Sequence, residues 1–251
     1  LERAVARKAA ICVPEQYAAP VPAQIVHCRS AAANAALSAL RDEIDSAKDA
    51  EAFLAARVRR AIGTKAWSEI ESQVTMAAMQ HGMPMGEAVA IGAITRNQWK
   101  RPISRMLRYM EGTGQLLPRN WRDVLPLVQG VAQGLARLPV YAKPIRRGVK
   151  GSDIPPQFIA AHRPGEVVRY AAFTSGGRAL DYPIKMRIVG HDGRDISAFA
   201  DPRYTSQREV LVPAWRLFEI ERIAPDGTIV LRQITEAQLR GRPIHEFSAI
   251  A

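Results

Sequence analysis

The sequence is poor in the residues on which disulfide frameworks and metal centres depend. Only two of its 251 residues are cysteine, Cys12 and Cys28, and its five histidines show no ligand spacing. Two cysteines make no disulfide framework, and neither they nor the histidines follow the spacing of a zinc site. We therefore interpret both cysteines as reduced thiols and assign no metal.

The chain also lacks a hydrophobic run of membrane-spanning length. Its most apolar stretch, MPMGEAVAIGAI from Met83, is too short to cross a bilayer and contains Glu87. No segment has the pattern of a signal peptide. Because the chain begins with Leu1, we expect a fragment whose original secretion signal could have been removed, and we interpret it as a soluble protein.

Acidic residues are few relative to basic ones. Lysine and arginine total 35 against 24 aspartates and glutamates, which gives a net charge of +11. This charge favours encounter with anions, whether nucleotides, nucleic acid or an acidic protein surface. With 47% hydrophobic residues, the chain can bury the core of one large domain or two small ones.

The hydrophobic periodicity changes along the chain. Residues 1–29 contain prolines and no sustained period, which predicts an irregular lead-in. Apolar residues then recur at helical spacing over residues 30–138, and Pro102 is placed to begin one of the helices. After Pro139 the period becomes two, and Asp-Gly pairs at 192–193 and 226–227 predict hairpins. Helices followed by strands predict an α+β fold.

One short segment has the character of a site. In TSQREVLVP, Gln207 and Glu209 stand two residues apart where a strand is predicted to begin. Alternate residues of a strand point to the same face of its sheet. An amide and a carboxylate on one face suit a binding or catalytic site better than a core.

Three segments of residues 139–234 together resemble the catalytic core of the mono-ADP-ribosyltransferases, a family of toxins, effectors and ecto-enzymes with an arginine, serine and glutamate triad. The first has Arg147 followed by Gly148 at the end of a strand. The second is Phe173-Thr174-Ser175, and the third has Gln207 and Glu209 followed by Val210, Leu211 and, at 213, proline. The resemblance implies that residues 139–251 form an ADP-ribosyltransferase-like antiparallel β core beside a helical subdomain.

The resemblance implies NAD as substrate and gives each motif residue a role. Glu209 stabilises positive charge that develops on the ribose, and Ser175 holds this carboxylate in place. Arg147 grips the NAD phosphates or ribose with its planar fork of donors. Gly148 allows close approach of NAD; the predicted NAD-binding residues are Arg147, Gly148, Phe173 and Ser175.

Acceptor recognition is expected from Gln207 and from Tyr204, an aromatic anchor in the preceding loop FADPRYTS. Arginine-modifying members of the family carry glutamate where this chain has Gln207. An amide cannot deprotonate a guanidinium, so we predict an acceptor other than arginine. The second motif departs from the family too: FTSGG lacks the two hydroxyl residues that often follow the serine, which puts NAD affinity in question.

The resemblance predicts a glycosyltransferase-class enzyme, a secreted or translocated bacterial toxin or virulence effector that acts in the cytoplasm of a target cell. Its partner would be a macromolecular target, most simply a protein, and an immunity protein or chaperone is a further partner class. The alternative is a catalytically drifted fold that binds protein or nucleic acid through its surface. Basic clusters in the helical part, Arg57 to Lys65 and Arg96 to Arg108, fit nucleic acid, but Trp99 is the single aromatic residue within them, which makes no series of stacking aromatics.

Overall fold

The computed structural model describes residues 31–110, 121–141, 143–149, 162–177 and 184–246. The lead-in predicted over residues 1–29, with both cysteines, lies outside the described residues. The first half of the chain forms helices: α1 (Ala31–Ser46), α2 (Ala50–Ile62), α3 (Thr64–Gln80), α4 (Met85–Ile94), α5 (Asn97–Met110) and α6 (Trp121–Arg137).

Helix α4 is the centre of the helical half. Every residue from Gly86 to Ile94 is buried, which explains the uninterrupted apolar run of this segment. Gly130 of α6 lets the two helices pack closely, since a Cβ there would lie 2.7 Å from the Cβ of Ala90. The one acidic residue of α4, Glu87, is paired with Arg137 of α6 at 2.7 Å. In the part of the chain that the structure describes, no helix has both the length and the apolar character to cross a bilayer.

Helix α5 begins earlier than the sequence predicts. Pro102 lies inside the helix, which starts at Asn97, so the prediction that Pro102 opens it is wrong. Proline has no backbone N–H, so Pro102, the sixth residue of the helix, removes one backbone hydrogen bond from its second turn. The earlier start places Lys100 on the helix, where it reaches the strand-rich half.

The second half of the chain forms two sheets from nine described strands. They are β1 (Ile145–Val149), β2 (Val167–Tyr170), β3 (Thr174–Gly176), β4 (Ile184–Val189), β5 (Arg194–Asp195), β6 (Val210–Val212), β7 (Arg216–Ile223), β8 (Ile229–Ile234) and β9 (Ile244–Glu246), with a short helix α7 (Glu236–Leu239) between the last two. The larger sheet has the order β1-β4-β8-β7-β2-β9 and the smaller one β3-β6-β5. Pairings are antiparallel except β4 with β8 and β2 with β9.

The two Asp-Gly pairs behave differently. Gly227 has φ 77° and turns β7 into its antiparallel partner β8, as the sequence predicts. Asp192 and Gly193 do not form the predicted hairpin, because β4 belongs to the larger sheet and β5 to the smaller one. The Asp192 carboxylate instead accepts hydrogen bonds from Arg216 at 2.5 Å and from Gln233 at 2.8 Å. These contacts stabilise a crossing between sheets.

The helical and strand-rich halves share one hydrophobic core. The cluster that contains the buried faces of α2 to α6 also contains Phe173, Leu211 and Trp215 from the second half. A separate cluster between the sheets includes Val168, Phe218 and Leu231. The helices therefore pack directly against the segments that carry the second and third motifs.

Candidate active site

The two sheets meet at the first and second motifs. Arg146 of β1 and Gly177, next to β3, exchange backbone hydrogen bonds of 2.7 and 3.2 Å. One residue further along β1, Arg147 donates from Nη1 to the carbonyl oxygen of Ser175 at 2.9 Å. The larger sheet thus supplies the arginine and the smaller one the serine, and hydrogen bonds connect them.

The third motif enters this junction from a tight turn. A 3₁₀ helix spans Pro202–Gln207, Arg208 has φ 44°, and β6 then begins at Val210. The Glu209 carbonyl accepts from the backbone N–H of Ile196 at 2.9 Å, and its side chain is only 12% exposed. The Ser175 hydroxyl is close enough to the Glu209 carboxylate to lower its pKa.

This turn overturns the geometric reason for placing Gln207 and Glu209 on one strand face. Gln207 ends a 3₁₀ helix, and the left-handed conformation of Arg208 interrupts any extended alternation. Gln207 is half-buried, and its carbonyl lies so near Gly177 that a Cβ there would be 2.6 Å from the oxygen. Glycine at this position lets the loop pack onto the sheet junction.

Lys100 is the site residue that sequence reasoning missed. Its Nζ donates to Ser175 Oγ at 2.8 Å and lies 3.7 Å from Glu209 Oε1. In the sequence Lys100 is one basic residue among several on a predicted helix, and nothing in its spacing points to Ser175 or Glu209. Only the packing of α5 against the second half brings it there.

Burial and charge act in opposite directions on these groups. Burial raises the pKa of Glu209 above its ordinary value, and the nearby Lys100, Ser175 and Arg147 offset part of this rise. Burial lowers the pKa of Lys100, the nearby Glu209 raises it, and Arg147 lowers it further. Burial likewise lowers the pKa of Arg147. Burial, with Arg147 and Arg105 nearby, lowers the pKa of Arg108 on α5 to about 10. The site is therefore electropositive around one carboxylate.

The loop before the third motif is anchored to the helical half. Asp201 donates its backbone N–H to Thr95 Oγ1 at 3.1 Å. Its carboxylate accepts from Arg203 at 2.7 Å and lies 3.7 Å from Arg96. The hydrogen bond from Arg203 is the main reason that the pKa of Asp201 falls to about 2. These contacts fix the start of the predicted acceptor loop.

The remaining predicted residues are placed as follows. Gly148 lies on β1, half-buried, opposite Lys185 of β4. Phe173 is 6% exposed and packs in the core shared with the helices. The backbone of Tyr204 belongs to the 3₁₀ helix, but its side chain lies outside the described part. Arg147, Ser175 and Glu209 are thus the predicted residues that the structure joins by side-chain and backbone contacts.

Comparison with curated proteins finds a partial match. The chain is 31% identical over 103 residues to a Mycobacterium avium (strain 104) protein, Mav, named as a candidate NAD(+)–arginine ADP-ribosyltransferase. The match covers 37% of this chain and 12% of that protein. The chain thus corresponds to a small part of that longer relative. No protein-family model matches the sequence.

Solved structures share the fold over most of the chain. The type III effector XopAI from Xanthomonas axonopodis pv. citri has a TM-score of 0.60 at 14% identity, over 84% of this chain and 96% of its own. Exoenzyme S from Pseudomonas aeruginosa, in complex with human 14-3-3 protein beta and bound to Carba-NAD, has a TM-score of 0.54 at 16% identity, over 77% and 94%. The Vis toxin, an ADP-ribosyltransferase from Vibrio splendidus, has a TM-score of 0.51 at 14% identity, over 75% and 93%.

These likenesses confirm the predicted α+β fold. They also confirm, at the level of fold, the resemblance to bacterial ADP-ribosyltransferases inferred from the three motifs.

Proposed function

We propose that this chain is an NAD-dependent mono-ADP-ribosyltransferase that acts as a bacterial toxin or effector. The observation that carries the proposal is the contact of the three motifs at one place. Arg147 donates to the backbone carbonyl of Ser175, and Lys100 Nζ contacts both Ser175 Oγ at 2.8 Å and Glu209 Oε1 at 3.7 Å. The three residues come from three strands or turns that are far apart in sequence. A purely structural role would not require an arginine, a serine and a glutamate to meet at one place.

ADP-ribosyl transfer needs a group that stabilises positive charge on the ribose, and this cluster contains a carboxylate. The bond between nicotinamide and ribose breaks, and its electron pair leaves with nicotinamide, which departs as a neutral molecule. The ribose carbon becomes positively charged, and the acceptor nucleophile bonds to it and loses a proton. A fixed carboxylate near the sugar stabilises this charge, typically by a factor of about 100 or more in rate. Glu209, whose side chain is 12% exposed and lies 3.7 Å from Lys100, has the burial and the charged partner for this role.

The surroundings of Glu209 also fit the rest of NAD. Its pyrophosphate is an anion, and the planar guanidinium of Arg147 can donate two parallel hydrogen bonds to phosphate oxygens. Lys100 and Arg108 add positive charge on the helical side. The half-buried Gly148 adjoins Arg147 on β1 and presents backbone without a side chain.

We propose an acceptor other than arginine. A guanidinium is protonated at neutral pH and needs a carboxylate to take or delocalise its charge, whereas the Gln207 amide can only donate and accept hydrogen bonds. A carboxamide or hydroxyl acceptor matches this amide. The name of the Mycobacterium avium relative specifies arginine, and a structure of Vis contains agmatine, so the acceptor is the sharpest question for experiment.

We further propose a macromolecular target, a protein before nucleic acid, inside a cell that the chain enters by secretion or translocation. The likeness to XopAI, a type III effector, and to the toxin Vis supports this setting. The test is to incubate labelled NAD, the protein and a cell lysate, and then to digest separately with protease and nuclease. Label that only protease releases supports a protein target. Binding to a lysate partner without NAD cleavage supports the catalytically drifted alternative instead.

A further inference from the structure

We propose that Lys100 is a positioning residue of this site, which from helix α5 orients the Ser175 hydroxyl and pairs with the Glu209 carboxylate. The inference rests on the proposed function for its catalytic meaning, but its physical content concerns three side chains in the protein alone. It would make the helical half a direct contributor to the active site.

The hydrogen bond between Lys100 and Ser175 has only one possible direction. An ammonium group has three N–H donors and no acceptor. Because Lys100 Nζ lies 2.8 Å from Ser175 Oγ, the serine oxygen must accept this bond. The hydroxyl proton of Ser175 is then left to be donated elsewhere, and the Glu209 carboxylate, which lies 3.7 Å from the same Nζ and whose pKa Ser175 lowers, is an acceptor beside it. Lys100 thus directs the Ser175 hydroxyl proton away from itself and towards Glu209.

The Glu209 carboxylate lies among positively charged groups. Glu209 faces Lys100 from α5, Arg147 from β1 and the Ser175 hydroxyl from β3. Lys100 Nζ is 3.7 Å from Glu209 Oε1. Among the groups that lower the pKa of Glu209 and so oppose the effect of burial, Lys100 has the largest effect. Without this lysine the pKa of Glu209 would be higher, so the carboxyl would keep its proton up to a higher pH, and a neutral carboxyl stabilises a positive sugar less well.

Helix α5 is packed firmly enough to hold Lys100 in place. The helix buries Ile103, Met106 and Leu107 completely, each at 0% exposure, in the core shared with the second half. A residue on a helix anchored in this way is positioned more precisely than one on a surface loop. Lysine here is thus held near its partners by the packing of the whole helical half.

The deciding experiment measures Glu209 directly and needs no enzyme activity. Protein labelled with ¹³C at glutamate side-chain carboxyls is titrated by NMR without NAD, and the Glu209 resonance is identified by its loss in Glu209→Gln. Lys100→Met should move the Glu209 midpoint to higher pH. Lys100→Arg, which keeps the charge, and Lys48→Met, which removes an exposed lysine elsewhere, should leave it at the parent value.

An unchanged Glu209 midpoint in Lys100→Met would overturn the proposal. Lys100→Gln is a second neutral variant, to be used if thermal unfolding shows that Lys100→Met is not folded, and it should give the same upward shift. Because this titration is made without NAD, it decides the role of Lys100 even if the parent protein proves unable to cleave NAD.

A pH profile of NAD cleavage supplies the catalytic readout. At a pH below both midpoints, a shift of one pH unit lowers the ionised fraction of Glu209 about tenfold, and kcat of Lys100→Met should fall there by up to that factor. The acidic limb of its profile should lie at higher pH than the parent's, so that activity recovers on raising the pH. An equal loss at every pH, with the limb unmoved, would contradict a role through Glu209.

Discussion

The backbone N–H of Asp201 donates to the hydroxyl oxygen of Thr95 at 3.1 Å, which ties the loop before the third motif to the end of helix α4. The carboxylate of the same aspartate accepts from Arg203 at 2.7 Å, so one residue fastens the loop on two sides. Both Thr95 and Asp201 are buried. The predicted acceptor loop is therefore held by the helical half as well as by its own turn.

This anchor predicts a loss of stability in acid. Its interactions lower the pKa of Asp201 from 3.8 to about 2, so the stabilisation is complete above the unfolded value and disappears as pH falls through about 2. Asp201→Asn should have a lower free energy of unfolding than the parent at pH 5, and the difference should shrink between pH 4 and pH 2. Urea denaturation at each pH measures it. Asp45→Asn, exposed on α1, is the control; a pH-independent deficit in Asp201→Asn would contradict the ionic explanation.

The shared core predicts that the strand-rich half cannot fold alone. A fragment that begins at Pro139 would expose Phe173, Leu211 and Trp215, which pack against the helices. Burial of each such side chain stabilises a fold by about 1.5–3 kcal/mol. We expect the fragment to lack a cooperative thermal transition and native near-ultraviolet circular dichroism. A fragment that folds and labels the target fully would remove any role of the helices in folding, binding or recognition.

Gln207 predicts the acceptor preference. The parent should transfer little or no ADP-ribose to agmatine, because the Gln207 amide cannot take up the charge of a guanidinium. Gln207→Glu should gain agmatine labelling, while Gln207→Ala, which removes the side chain, should not. Mass spectrometry of the modified target should place ADP-ribose on an atom other than an arginine nitrogen. Efficient agmatine or target-arginine labelling by the parent would show that this assignment of the acceptor is wrong.

The sequence predicts those parts of the molecule that depend on local patterns. Apolar periodicity locates the helical half, and the Asp-Gly pair at 226–227 locates the β7–β8 hairpin. The Asp-Gly pair at 192–193 does not form the hairpin that it predicts, because the Asp192 carboxylate binds Arg216 and Gln233. Both partners are more than twenty residues away in the sequence. Local turn chemistry cannot reveal such a tertiary contact.

Some residues of the candidate site can be predicted from the sequence and others cannot. Motif order identifies Arg147, Ser175 and Glu209 without any knowledge of distance, and the structure joins them. Lys100 has no motif, and it reaches Ser175 only because α5 starts five residues before Pro102 and packs against the sheet junction. Its role depends on the tertiary packing of two halves, which no spacing within the sequence encodes.

The most direct test of the account is the rate of NAD cleavage by Glu209→Gln. The substitution is nearly isosteric and removes the negative charge, so the protein should remain folded, with a thermal transition like the parent's. The nicotinamide–ribose bond should break at least about 100 times more slowly than in the parent under single-turnover conditions, because the carboxylate no longer stabilises the positive sugar. A Glu209→Gln protein that releases nicotinamide as fast as the parent would contradict the assignment of Glu209 and the proposed catalytic site.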